Sequence, residues 1–142
     1  AARTFEFSDF LVNQLRVVDV GARRDGKVAF HFACHLRMLQ HTTEVETLIR
    51  HVKGATYVPL ARQDQCCGFG GTFATKYPAI SGAIVDDKVQ CIQATGAATT
   101  ICNDAGCTMN ISGMCHRKGV KTDVKHIAAT IAEAMGIDTS RW

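Results

Sequence analysis

Three short apolar runs, Lys27–Ala33, Thr56–Leu60 and Ala98–Cys102, each lead into a segment that carries cysteine, and each is followed by a stretch with helical spacing. This alternation limits the fold more than any other feature, because strand–helix–strand units lay their strands parallel and cover the sheet with helices. A fourth run, Val120–Lys125, completes the pattern. The predicted fold class is α/β, with a small parallel sheet of about four strands flanked by helices. A chain of 142 residues suits one domain over 1–142, with residues 1–24 as a leading helix and linker.

The helices have readable faces and ends. Ser8 is placed to cap a first helix with Leu11, Val12 and Leu15 on one side. Thr43 and Glu46 form a possible capping box for a second, whose stripe is Val45, Leu48, Ile49 and Val52 and whose stop is Gly54. Ala61–Tyr77 reads as one long glycine-bearing loop. Pro78 opens a third helix, with Ile80, Ala83, Ile84 and Cys91 on one side and Val85, Val89 and Ile92 beside them, stopped by Gly96. Cys107, Ile111, Met114 and Cys115 share a face of a fourth helix ending at Gly119, and a last helix runs through Ile127, Ile131 and Met135.

Parallel α/β sheets gather ligands beyond the carboxyl ends of their strands. Cys34, the pair Cys66 and Cys67, the segment Asp104–Cys107, and His126 each follow a predicted strand, so all are expected at one rim. The count of seven cysteines is odd, which does not suit a closed disulfide framework, and a chain this size can bury a core without staples. Dense cysteine therefore points to metal or redox chemistry in a reducing, cytoplasmic setting. The net charge of +3 is scattered, with no like-charge block, which argues against nucleic acid as a partner. No run of about 18 apolar residues is present, so no transmembrane segment is expected. The opening at Ala1, almost directly before an amphipathic stretch, has the look of a fragment or a cleaved product.

Thiolates are soft donors that suit iron–sulfur clusters and zinc. The adjacency of Cys66 and Cys67 favours a cluster, because neighbouring side chains do not readily bite one small ion but can reach different atoms of a larger group. Structural zinc favours pairs separated by about two to four residues. Gly68, Gly70 and Gly71 let the backbone fold closely against an inorganic group, and their amides can donate to its sulfurs. The expected metal ligands are Cys34, Cys66, Cys67 and Cys107. Cys91 and Cys115 fall on apolar stripes and read as core, while Cys102 is either core or a replacement ligand. His31, His35 and His126 lie near the rim as donors to a cluster or as hydrogen-bonded structural groups, and His41, His51 and His116 read as solvated. Lys76 and Tyr77 read as ordinary surface.

Cys34, Cys66-Cys67-Gly68 and Asp104-Ala105-Gly106-Cys107 resemble the cysteine-rich CCG domain, whose pattern is a cysteine, a CCG and a CxxC. That domain occurs in heterodisulfide reductase B subunits, glycolate oxidase iron–sulfur subunits and lactate-utilisation iron–sulfur proteins. Phe5-Glu-Phe-Ser-Asp-Phe-Leu, His31-Phe-Ala-Cys-His-Leu, Cys66-Cys-Gly-Phe-Gly-Gly-Thr-Phe and Lys125-His-Ile-Ala look most like the carboxyl-terminal half of the last group. The resemblance implies one of two tandem domains, with an amino-terminal CCG domain missing. It also implies a [4Fe-4S] cluster that passes electrons during oxidation of L-lactate or a related 2-hydroxy acid, within a complex of other subunits through which any membrane association would arise. In the heterodisulfide reductase relatives five cysteines hold a non-cubane cluster, but Asp104 stands where the first cysteine of CxxC is expected. Four thiolates and a cubane are then the simpler expectation, with Asp104 as a helix cap ahead of an oxygen ligand. Two alternatives stand beside this one. The first is a zinc-stabilised scaffold domain of the same complex, with zinc replacing iron in an aerobically purified sample. The second is a thiol–disulfide enzyme using Cys66 and Cys67, disfavoured because adjacent cysteines close only a strained ring.

Overall fold

A computed structural model describes residues 4–40 and 43–140; His41, read above as solvated, lies outside the described residues. The chain begins with α1 (Phe7–Asp9), continued by a π-helical turn over Phe10–Gln14. Its cap is Glu6, whose carboxylate accepts from the amides of Ser8 and Asp9 at 2.7 and 3.1 Å, and not Ser8, whose hydroxyl is buried. β1 (Arg23–Phe30) begins and ends before the predicted run, which leaves His31 just beyond the strand. α2 (Cys34–Met38) follows, a short helix without a side-chain cap and without a sequence signal.

α3 (Glu44–His51) buries Val45, Leu48 and Ile49 as its spacing requires, but Thr43 makes no side-chain cap and Gly54 lies beyond the helix in β2 (Lys53–Tyr57). The long segment after β2 is broken by α4 (Thr72–Lys76). α5 (Pro78–Thr95) buries Val85, Val89, Cys91 and Ile92, while Ile80 and Ala83 face outward. β3 (Thr99–Cys102) is wholly buried. α6 (Ala105–Lys118) buries Cys107, Ile111 and Cys115. β4 (Asp123–His126) leads without a gap into α7 (Ile127–Ala134).

The four strands are all parallel, in the order β2-β1-β3-β4. Side chains alternate across such a sheet, so each strand feeds two cores. Val28, Phe30 and Ile101 join Leu36, Val45, Leu48, Ile127 and Ile131 on one face. Ala29 and Cys102 join Val85, Val89, Ile92, Ile111 and Cys115 on the other. Each fully buried aliphatic or aromatic side chain contributes about 1.5–3 kcal/mol. The order also fixes where a cleft opens: the chain leaves β1 for β2 on one side and returns to β3 on the other, so the loops after β1 and β3 diverge. No helix among the described residues is long and apolar enough to cross a membrane.

Candidate metal centre

The divergence between β1 and β3 is filled by sulfur. Cys34, Cys66, Cys67 and Cys107 line one cleft of about 320 Å³ together with His35, Phe69, Gly70, Gly71, Asp104 and Gly106. Cys34 opens α2 and Cys107 sits in the first turn of α6, while the pair comes from the long segment after β2. Cys67 and Cys107 are buried with their sulfurs 2.7 Å apart; Cys34 and Cys66 are exposed at the mouth. The cleft thus has a dry inner pair and a wet outer pair.

The cysteine-bearing segment is held by its carbonyls. Asn110 Nδ2 donates to the carbonyl of Cys67 and the Ser81 hydroxyl to that of Gly68, both at 2.8 Å. Gly68 has φ +81°, and a Cβ there would stand 2.7 Å from the Ser81 carbonyl oxygen. Gly106 serves a close approach: its missing side chain makes room for the Phe69 ring, which an added Cβ would meet at 2.4 Å. Further back, Lys88 is fully buried and donates to the Arg62 carbonyl at 3.0 Å, and Asp87 takes a two-point ion pair from Arg62. Ser81, Asn110 and Lys88 carry no motif, so sequence reasoning passes over them; the only hint was polar residues inside helical stretches.

The inner pair is electrostatically unequal. The Cys107 thiol beside Cys67, then the His31 ring and the Phe69 amide, hold Cys67 well below the usual thiol range against the opposing effect of burial. The Cys67 thiolate in turn, with burial and Asp104, pushes Cys107 up. Gly68 N also donates to Cys66 Sγ at 3.3 Å. Asp104 caps α6, accepting from the Cys107 amide at 2.8 Å, and its other oxygen lies 3.6 Å from His35 Nδ1. Burial opposes its charge, but the Cys107 backbone and side chain and the His35 ring hold its carboxyl below the usual range.

Other expected site residues lie elsewhere. His126 ends β4, accepts from the Ala128 amide at 3.2 Å and lines a separate cleft with Lys125 and Glu133. Cys102 is wholly buried in the core, where burial pushes its thiol up to about 12, and it does not line the cysteine cleft. Cys91 and Cys115 are buried core, and Cys91 accepts from Arg62 at 3.4 Å. Lys76, Tyr77, His51 and His116 are exposed. His31, in contrast, is only 1% exposed, and one of its ring nitrogens falls within 4.8 Å of both inner sulfurs.

A convergence of cysteine sulfurs with a buried imidazole, beside backbone amides aimed at sulfur, fits a soft metal centre. Residues 28–112 match the family model of the cysteine-rich domain, CCG. The chain is 46% identical over 132 residues to lactate utilization protein A of Bacillus licheniformis, covering 92% of this chain and 56% of that protein. It is 46% identical over 132 residues to the protein of that name in Shouchella clausii, covering 92% of this chain and 55% of that one. For Bacillus subtilis the identity is 45% over 132 residues, covering 92% and 56%. The chain therefore spans little more than half the length of these relatives. With a family match across more than half of its length and the family's cysteines around one cleft, the chain belongs to the cysteine-rich CCG domain family.

Proposed function

We propose that this chain is the cluster-carrying carboxyl-terminal half of a lactate-utilisation iron–sulfur protein, and that it passes electrons during oxidation of L-lactate or a related 2-hydroxy acid. The observation that supports this most is the lining of a single cleft by four cysteines from three chain segments remote in sequence. The names of the relatives support the lactate assignment. A bound [4Fe-4S] cluster would supply one-electron transfer without proton chemistry of its own.

The chain's residues would then divide the work. Cys34, Cys66, Cys67 and Cys107 hold the cluster, Gly70 and Gly71 keep side chains out of its path, and the Gly68 and Phe69 amides donate to cysteine sulfur. The exposed outer pair sets the edge from which electrons leave toward another subunit or a second CCG domain. His35 stands beside that edge, next to Asp104.

Anaerobic reconstitution with ferrous iron and sulfide tests the proposal. Brown protein with about four irons per chain, bleaching on reduction, is expected; C107S should lose most of that iron while C91A keeps it. Tightly held zinc without sulfide in protein from anaerobic cells would replace the redox reading with a scaffold.

A further inference from the structure

His31 stands directly after β1, where its amide donates to the Ile101 carbonyl at 2.8 Å and so extends the β1–β3 ladder by one residue. The backbone there is therefore held. The imidazole is 1% exposed, and among the described residues neither Nδ1 nor Nε2 has a hydrogen-bond partner other than the Cys67 sulfur, whose charged form the ring favours. An unsatisfied buried polar group costs about 1–3 kcal/mol. The other rim histidines are provided for, His35 beside Asp104 and His126 by the Ala128 amide. His31 instead has two sulfurs: a ring nitrogen, Cys67 Sγ and Cys107 Sγ all lie within 4.8 Å of one another.

We propose that His31 is a nitrogen ligand of the metal centre, binding the same buried metal atom as one of the inner cysteines. This rests on the cluster reading above. A neutral imidazole is a borderline donor that iron and zinc both accept, and coordination gives a lone pair what the protein leaves unmatched. The centre would then have five protein donors, four sulfurs and one nitrogen. The inner side of the cleft, not Asp104, supplies the fifth: the Asp104 oxygens already serve the Cys107 amide and face His35.

The test is pulsed electron paramagnetic resonance on the anaerobically reconstituted, dithionite-reduced chain, prepared with natural and with 15N-labelled histidine. A strong histidine-nitrogen coupling is expected in the wild type and in H35A. It should vanish in H31C, which keeps a donor and its iron, and in H31A, which should hold less iron per chain; circular dichroism checks that both variants fold. Full iron with only weak nitrogen coupling would reduce His31 to a hydrogen-bond donor and overturn this inference alone. A coupling that survives in H31C, or is lost in H35A, would overturn it equally. A chain that takes up no iron overturns both this inference and the function on which it rests.

Discussion

At the scale of single residues, the centre depends on positions that carry no chemistry themselves. Gly68 is the clearest, because a left-handed backbone and a neighbouring carbonyl at 2.7 Å both exclude a side chain. The G68A variant is expected to lose about 2 kcal/mol or more of stability, the left-handed penalty plus the displacement of Ser81. Urea midpoints measure this; an unchanged midpoint would mean that the segment rearranges freely. Cys102 and Cys107 make the complementary point. Five positions separate two thiols with different fates, one sealed in the α5–α6 core and one in the cleft. C102A should therefore leave iron loading unchanged, as measured by iron and sulfide assay.

At the scale of elements, α5 is the platform for the cysteine-bearing segment. One face offers Ser81 to Gly68, and farther along Asp87 and Lys88 hold Arg62. Lys88 does so while fully buried, and burial holds its pKa below that of a free lysine. In the window between the folded value and the unfolded value of about 10.4, the unfolded chain binds more protons, so stability rises with pH there. Below the folded value the burial penalty is present in full. Wild-type protein should thus gain stability relative to K88M as pH is raised through that window, and identical alkaline slopes of the urea midpoint would show that the ammonium is solvated. α2 and α4 are the opposite sort of element. Both are five residues long and lack a side-chain cap, and they exist because the strands on either side fix where the chain must travel.

At the scale of the whole molecule, the cysteine cleft is lined from the segments after β1, β2 and β3, so the proposed metal centre would tie them together and link occupation to folding. Cluster-loaded chain should melt about 10 °C above the cluster-free chain, the shift expected from roughly 3 kcal/mol of binding in a domain of this size. Anaerobic thermal scans before and after removal with ferricyanide and chelator measure it. Equal melting temperatures would mean the cleft is held open by the protein alone.

The parallel α/β class, the four strands and the main helical faces are carried locally, because burial on both sides of a sheet demands short apolar runs between amphipathic stretches. So is the family, since the spacing of Cys34, Cys66-Cys67-Gly68 and Cys107 lies in the sequence itself. Strand order lies outside that information: nothing in the runs says that β3 pairs with β1 and not β2, yet that choice creates the cleft. Strand ends behave in the same way. Cys67 and Cys107 pack on the Ala29 face of the sheet, so the alternation that continues past Phe30 sets His31 beside two sulfurs, and pairing of Cys102 with His126 in the β3–β4 ladder keeps both away from the cysteine cleft. Side-chain direction at a strand's end depends on its neighbours, and those exist only once the sheet is assembled.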